Sequence, residues 1–356
     1  MSIIGLKRTL LRRSLFALST GFIIVVFPVV GMAKDSNQLP LKQADVKIEQ
    51  SLGEPQPTTA EEFYDRGLEF YNKNEYAKAV TDFSEAIKLN PKSAKFYESR
   101  GTAFRELGLL ENALADYNKA VEFNPRFALA YHDRAVIYDV TNQYQLALDD
   151  FTKALTFDAT DETVYNDRGS TYAKLKQYKE ATADFSKAIE LNPDYALAYF
   201  NRGLMAYYQK QYKDAITDYS KAIELDETMS AAFMNRAISY NELYQYDKAV
   251  ADYSSVIALK PDDLQAYYSR GISYFFSKKY NEAIADFDKV IAAQPEKPDA
   301  YLFRAESYYL LKRYSEALAD WKQMEALGET LSFADKLYRK DAEAQHNGTA
   351  TPTPMK

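Results

Sequence analysis

The sequence predicts an all-α solenoid of stacked helix pairs, and three observations lead to it. The octet DYSKAIEL at Asp218 recurs eight times, from DFSEAIKL at Asp82 to DWKQMEAL at Asp320. The spacing is 34 residues each time, without insertions. Small and aromatic residues repeat at helical spacing in both halves of each period. A fixed period of this length is typical of stacked repeats, in which each unit buries its apolar face against its neighbours.

The first half of each unit predicts an amphipathic helix. The eight units begin at residues 60, 94, 128, 162, 196, 230, 264 and 298. Position 4 is always aromatic, position 8 is always Gly or Ala, and position 11 is Phe or Tyr except at Ala206. These positions share one helix face, and the small residue between two rings lets a second helix approach closely. Thr59 and Glu62 have the spacing of a capping box at the start of the first helix.

The second half of each unit predicts a second helix. Position 20 is always Ala, position 24 is aromatic, and position 27 is Ala, Val or Met. A short polar turn separates the two helices, as at 72–74. Pairs such as Asn90-Pro91 follow the second helix in most units and end it, because the residue before a proline avoids the helical region.

This pattern closely resembles the tetratricopeptide repeat over residues 60–331. The resemblance implies antiparallel helix pairs that stack into a right-handed superhelix with a concave groove. In that family the first helix of each unit lines the groove, commonly through positions 2, 5, 9 and 12 and their neighbours. Residues 332–346 then read as a helix that covers the last unit. Residues 347–356 are expected to be a disordered tail.

One charged pair is as regular as the core. Position 7 is Arg in every unit: Arg66, Arg100, Arg134, Arg168, Arg202, Arg236, Arg270 and Arg304. Position 23 is always Asp: Asp82, Asp116, Asp150, Asp184, Asp218, Asp252, Asp286 and Asp320. A function tied to one site does not need eight copies. We therefore predict Arg–Asp bridges that join helices, within a unit or to the next one.

Residues 1–33 resemble a targeting segment. Four basic residues precede an uncharged run from Ser14 to Ala33. That run fits a cleaved signal peptide or a retained N-terminal membrane anchor. In both cases the basic flank places the rest of the chain outside the cytoplasmic membrane, either periplasmic or tethered to the outer side of the inner membrane. Residues 34–59 are polar and contain three prolines, which predicts a flexible linker.

Composition and charge exclude several function classes. The net charge is −7, and it becomes −11 once the four positive charges of residues 1–33 are removed. A surface this acidic repels phosphate backbones, so no nucleic-acid partner is expected. There is no cysteine, and the two histidines are His132 and His346. Without a Gly-rich phosphate loop, a Ser–His arrangement or a metal-ligand cluster, we expect no catalysis, no cofactor and no metal.

Function is expected where the units differ, at positions 5, 6, 9 and 12 of the first helices. In units 1–4 the candidate partner-binding residues are mostly acidic: Tyr64, Asp65, Glu98, His132, Asp133, Asp139 and Asp167. In units 5–8 they are apolar or amides: Phe200, Asn201, Tyr207, Met234, Asn235, Asn241, Tyr268, Phe275 and Tyr309. An asparagine amide can both donate to and accept from a peptide backbone.

These stripes predict a non-catalytic scaffold that binds a protein or peptide in its groove. A continuous exposed apolar patch usually marks a binding surface. The expected partner carries an apolar and a basic segment. Packing of some apolar side chains against the adjacent helix stays open as an alternative. Two other functions also stay open: a self-associating envelope protein, and a glycan or cell-wall binder that uses the aromatic groove.

Overall fold

The computed structural model describes residues 57–348, which form seventeen α-helices and no β-strand. Consecutive helices pack on each other in pairs joined by short turns. The predicted all-α solenoid of helix pairs is therefore confirmed. Residues 1–33, most of the linker and residues 349–356 of the tail lie outside the described residues. Within 57–348, no helix is long and apolar enough to cross a bilayer.

The helices follow the 34-residue period. The first helices of the eight units are α1 (Ala60–Asn72), α3 (Ala94–Glu106), α5 (Ala128–Val140), α7 (Glu162–Lys174), α9 (Ala196–Tyr208), α11 (Ser230–Glu242), α13 (Leu264–Phe276) and α15 (Pro298–Leu310). The second helices are α2 (Tyr76–Leu89), α4 (Leu110–Phe123), α6 (Tyr144–Phe157), α8 (Tyr178–Leu191), α10 (Tyr212–Leu225), α12 (Tyr246–Leu259), α14 (Tyr280–Ala293) and α16 (Tyr314–Ala326). A last helix, α17 (Phe333–His346), follows them.

The described residues fall into two compact units, and the boundary along the chain lies between Asn201 and Arg202. We call residues 57–201 the N-terminal half and residues 202–348 the C-terminal half. Each half has its own buried layer of aromatic and small side chains, such as Phe83 and Ala103 in the first and Phe287 and Ala300 in the second. The two halves are described separately below.

Position 8 is small because a ring of the second helix lies against it. A Cβ added to Gly67 would lie 2.6 Å from an edge carbon of Phe83, and one added to Gly169 would lie 2.8 Å from Phe185. Both rings are fully buried. The aromatic–small–aromatic pattern therefore records the close approach of two helices, as the sequence predicted.

The ends of the helices follow local sequence. Thr59 and Glu62 form the predicted capping box, in which the Glu62 amide donates to Thr59 Oγ1 at 3.2 Å. Each turn between the two helices of a unit contains one left-handed residue. This residue is Gly108 in the second unit, but Lys176 and Lys278 adopt the same conformation with φ of 60° and 65°. Side chains with a Cβ are strained in this conformation.

The predicted Arg–Asp bridges are confirmed in all eight units. Each arginine donates through Nε and Nη2 to both carboxylate oxygens of the aspartate sixteen residues later, at 2.6–2.9 Å. The bridge thus joins the two helices of one unit. In several units Nη1 also reaches the preceding unit, as Arg100 does to Ser84 Oγ at 3.1 Å. The predicted Arg–Asp bridge thus lies within a unit, and the link to the preceding unit is a separate hydrogen bond of the same arginine.

Candidate functional site

The candidate partner-binding residues differ widely in exposure. Asp65 is exposed, and four residues are half-buried: Tyr64, His132, Phe275 and Tyr309. The other eleven are buried: Glu98, Asp133, Asp139, Asp167, Phe200, Asn201, Tyr207, Met234, Asn235, Asn241 and Tyr268. No contact with a partner tests their binding role, which stays a prediction.

Burial arises because consecutive first helices lie against each other in a constant register. Position 5 of one helix meets position 6 of the next in three places: Tyr64 OH with Ser99 Oγ at 3.2 Å, His132 Nε2 with Asp167 Oδ2 at 3.0 Å, and Asn201 Nδ2 donating to Asn166 Oδ1 at 2.9 Å. The partners are 35 residues apart each time. Much of the predicted stripe is therefore an internal contact layer.

The acidic side chains of the N-terminal half mostly have basic partners inside the protein. Arg105 Nη1 donates to Asp133 Oδ1 at 2.8 Å, and the side chains of both residues are about nine-tenths buried. Lys174 donates to Asp139. Because these carboxylates are already paired, the expectation of a broad acidic surface in units 1–4 is wrong. Lys174 stands at position 13, outside the four positions that predicted the stripe.

Glu98 lies in the same layer, and no basic side chain of the described repeats pairs with it. It accepts hydrogen bonds from Ser99 Oγ and Thr102 Oγ1, both at 3.0 Å. Burial, together with the negative charge of Asp133, raises the pKa of Glu98 to about 7. Near neutral pH this carboxyl group is therefore partly protonated, which reduces the charge of the layer further.

His132 also titrates inside this layer. Burial lowers the pKa of His132, but the hydrogen bond and the charge of Asp167 outweigh it, so the pKa lies above its ordinary value. The protonated ring is therefore a cation bound to Asp167. His132 and Asp167 form an internal ion pair, and a contact of this kind gives the histidine a structural role.

The apolar side chains of units 5–8 are buried as well. Phe200, Met234 and Tyr268 are 0 %, 1 % and 4 % exposed. The expectation of a continuous exposed apolar stripe is wrong, because position 5 packs between consecutive first helices. The Asn241 side chain forms its hydrogen bonds within the protein: its Nδ2 donates to Tyr253 OH at 3.2 Å, and its Oδ1 accepts from Ser273 Oγ at 3.0 Å.

One buried polar group in this half stands apart. The Tyr268 hydroxyl is without a hydrogen-bond partner among the described residues. Position 6 of the next unit is Phe303, whereas the equivalent tyrosine Tyr64 meets Ser99 there. The ammonium group of Lys297 lies 4.0 Å from the centre of the Tyr268 ring. An unsatisfied buried hydroxyl costs stability, so this tyrosine is not explained by packing alone.

Partly accessible aromatic side chains lie beside the turns that join the two helices of units 6 and 7. We call Tyr244, Tyr246, Phe275, Phe276 and Tyr280 the aromatic rim. Tyr244 is 55 % exposed and the other four are half-buried. Their rings form a chain with centroid distances of 5.3–6.3 Å, including a nearly parallel stack of Tyr246 on Phe276.

Of the rim, the sequence selected only Phe275. Tyr246 and Tyr280 stand at position 17, outside the four positions that predicted the site. Tyr244 stands in the turn. The sequence signal that could have identified them is the clustering of aromatic residues at 244–246 and 274–280, around the turns between the two helices of units 6 and 7.

The charged clusters of residues 57–348 include no group of three or more His, Asp and Glu side chains arranged to hold a metal ion. Most of their carboxylates are instead paired with Arg, Lys or His, as described above.

Family models described as tetratricopeptide repeat match residues 64–128, 163–195, 196–229 and 270–326, and one described as TPR repeat matches 239–276. Together these matches cover more than half of the chain. No curated protein matches the sequence significantly.

Several solved structures are similar. The C-terminal part of a TPR repeat-containing protein from Cytophaga hutchinsonii is 19% identical over 67% of this chain and 97% of its own, with a TM-score of 0.56. Pseudomonas aeruginosa pilF is 21% identical over 60% of this chain and 97% of its own, with a TM-score of 0.53. YrrB, a TPR protein with an unusual peptide-binding site, is 28% identical over 53% of this chain and 97% of its own, with a TM-score of 0.47.

The first two structures share the fold with this protein, and the family models agree with the period, the small and aromatic positions and the helix pairs. Repeats of this kind generally serve as non-catalytic scaffolds for protein–protein interaction. The chain belongs to the tetratricopeptide-repeat family.

Proposed function

We propose that this protein is a non-catalytic scaffold that acts outside the cytoplasmic membrane and binds a peptide or protein partner at the aromatic rim. The observation that carries the proposal is the chain of linked rings that stays partly accessible, while positions 5 and 9 are largely buried. Rigid aromatic side chains bind partners at a low entropic cost and dominate the energy of many interfaces.

The rim fits an apolar segment of the partner. Its rings come from the turn after α11, the end of α13 and the starts of α12 and α14, so a bound segment would contact two consecutive units. A basic segment is supported less well, because Asp133, Asp139 and Asp167 are paired internally. The net charge of −11 beyond residue 33 would still speed the approach of a basic partner more than it would tighten binding.

The proposed location rests on residues 1–33. Mass spectrometry of the N-terminus in the source cell would distinguish a cleaved signal peptide from a retained anchor. Protease added to cells with a permeabilised outer envelope should digest the repeat array and spare cytoplasmic proteins. An array that resists protease until the inner membrane is broken would contradict the proposed location.

The binding proposal is tested by a photo-crosslinking residue placed at Phe275 in the full chain in living cells. A matched control carries the same residue at the exposed Lys213 on α10. We expect a discrete adduct from Phe275 alone, whose partner mass spectrometry identifies. Equal labelling at both positions, or none at Phe275, would overturn binding at the rim.

The identity of the adduct also separates the alternatives. An adduct of the protein with itself would favour the self-associating structural protein. Adducts with cell-wall glycan would favour the glycan binder.

A substitution then tests the contribution of one ring. Tyr244→Asn removes the exposed ring but tolerates the left-handed backbone of Tyr244, whose φ is 59°. We expect the adduct at Phe275 to fall by about tenfold, as for an interface residue worth about 1.4 kcal/mol. Lys213→Asn is the control and should leave the adduct unchanged.

A further inference from the structure

The last helix exposes an apolar and basic face. Phe333 is 78 % exposed and Leu337, one turn later, is 50 % exposed. Lys336 and Lys340 are exposed on the same side of α17, at i+3 and i+7 from Phe333. A capping helix normally turns a polar face to water, so an exposed phenylalanine on this helix indicates that something covers it.

The first helix exposes an acidic face with similar spacing. Glu62, Asp65 and Glu69 are exposed at i, i+3 and i+7 on α1. Glu62 and Glu69 occupy positions 3 and 10, where the second unit has Phe96 and Ala103, both fully buried. In units 2–8 these positions are small or apolar and receive the preceding unit. In α1 the same face carries carboxylates and is accessible.

Consecutive first helices meet with a constant offset of one position. Position 5 lies against position 6 of the next unit in the three contacts described above, and position 12 lies against position 13 where Asp139 binds Lys174. The last helix continues this register. Tyr309 OH donates to Asp341 Oδ2 across 32 residues, the same separation that joins Asn241 to Ser273. Position 5 of α17 is therefore Lys336.

We propose that α17 of one copy docks on α1 of a second copy in the register that joins consecutive first helices. The offset places Lys336 (position 5) against Asp65 (position 6) and Lys340 (position 9) against Glu69 (position 10). It also places Glu343 (position 12) against Asn72 (position 13). Both of its charge pairs are complementary, and the exposed Phe333 lies beside Lys336 and Lys340 on the same helix. The contact goes beyond partner binding at the aromatic rim, which lies on other helices.

The chemistry of this contact sets its behaviour. Exposed ion pairs contribute little individually and are screened by salt, so the association should be weak and should fall as the salt concentration rises. Different surfaces of the two copies meet, so the contact is heterologous and can extend to further copies. It needs no change within either copy.

The absence of cysteine makes a direct test available. Two full-length chains are prepared with different tags, one with Lys336→Cys and one with Asp65→Cys, and are mixed under mild oxidation. Each chain has a single thiol, so a disulfide between the two tags forms only between copies. In the control mixture, Lys213→Cys replaces Asp65→Cys, because Lys213 is also exposed. Circular dichroism confirms that every variant is folded.

We expect about tenfold more mixed disulfide from the designed pair than from the control, which corresponds to about 1.4 kcal/mol of preference. Equal yields would mean that both faces are simple solvated caps. A dominant Lys336→Cys homodimer would mean a symmetric contact. Either result would overturn the proposal.

A charge exchange gives a second, independent readout by sedimentation of the full chain in detergent. Asp65→Lys with Glu69→Lys should abolish association, and further addition of Lys336→Glu and Lys340→Glu should restore it. Loss without restoration would contradict the proposed register.

Discussion

The two halves of the array use one scaffold with two different contact layers between their first helices. In the N-terminal half the layer contains ionisable groups, such as the Arg105–Asp133 pair and the His132–Asp167 pair. In the C-terminal half the corresponding layer is built mainly from rings and amides. The Tyr268 and Phe303 rings meet edge to face at 6.4 Å, and Asn241 Oδ1 accepts a hydrogen bond from Ser273 Oγ.

This difference shows that the residues that pair the two helices of a unit can stay constant while the residues between consecutive first helices change. Every unit keeps its Arg–Asp bridge and its small residue at position 8, so the pair itself is constant. The layer can be charged or aromatic because its register stays the same. What changes is the response to pH, since buried ionisable groups couple stability to protonation and rings do not.

The largest expected effect comes from breaking the charged layer. Asp133→Ala leaves the Arg105 guanidinium buried without its main counterion, and we expect a loss of about 3–5 kcal/mol in the free energy of unfolding. Urea unfolding followed by circular dichroism measures this loss. Fluorescence of Trp321, the single tryptophan, reports the C-terminal half and should shift less.

Two variants control this prediction. Asp65→Ala removes an exposed carboxylate and should change stability little. Arg105→Met with Asp133→Leu removes both charges and should recover most of the loss, because an apolar pair of similar volume replaces a buried ion pair well. A loss for Asp133→Ala no larger than for Asp65→Ala would contradict the structural role of the pair.

The second effect is the pH dependence that Glu98 gives to the N-terminal half. The pKa of Glu98 rises from 4.5 to about 7 on folding, so the unfolded chain loses this proton first. Stability should therefore fall as the pH rises from about 4.5 to about 7 and stay lower above it. Glu98→Gln should flatten this slope and gain on the order of 3 kcal/mol at higher pH. Unfolding midpoints measured across this pH range check the prediction.

His132 should add to the same trend at higher pH. Its folded pKa lies above the ordinary 6.5, so its stabilising contribution is complete below that pH and is lost as the pH rises through the folded pKa. In the Glu98→Gln background, His132→Gln should reduce the slope that remains above pH 6.5. An unchanged slope in the double variant would assign this part of the pH dependence to other groups.

A smaller effect compares two tyrosines of the C-terminal half. Tyr268→Phe removes a buried hydroxyl that has no hydrogen-bond partner within residues 57–348, and should be neutral or stabilising by about 1 kcal/mol. Tyr253→Phe removes a hydroxyl bonded to Asn241 and should cost about 1 kcal/mol. Trp321 fluorescence during urea unfolding measures both. Equal losses would mean that the Tyr268 hydroxyl has an unrecognised partner.

The smallest effect should be the same in both halves. Lys176→Gly and Lys278→Gly relieve a left-handed side-chain position and should each stabilise the protein by about 0.5 kcal/mol, after the entropy that glycine gains in the unfolded chain. Thermal unfolding of the two variants checks this. A clear difference between them would show that the turns contribute to the contrast between the halves.

The fold could be predicted because it depends on the spacing of residues within one repeat. The site was harder to predict because it depends on contacts between side chains of different repeats. The first helix, its capping box and the Arg–Asp bridge follow from residues within one period. Position 5 was placed on an exposed stripe because one helix alone offers that face. In the array, the next first helix covers it, so Phe200 and Met234 are buried.

By itself, the sequence determined the helix pairs, their period, the close contact at position 8 and the family. All of these depend on residue spacing within one unit, and the same spacing occurs in all eight units. Only the tertiary structure decided which polar groups are already satisfied and which rings stay accessible. Lys174 neutralises the charge of Asp139, and Phe303 offers the Tyr268 hydroxyl no hydrogen bond where the first unit has Ser99 opposite Tyr64. The residues of each contact are 35 positions apart and belong to neighbouring units. The energy of a side chain depends on its neighbours in space, and in a stacked array those neighbours come from the next unit.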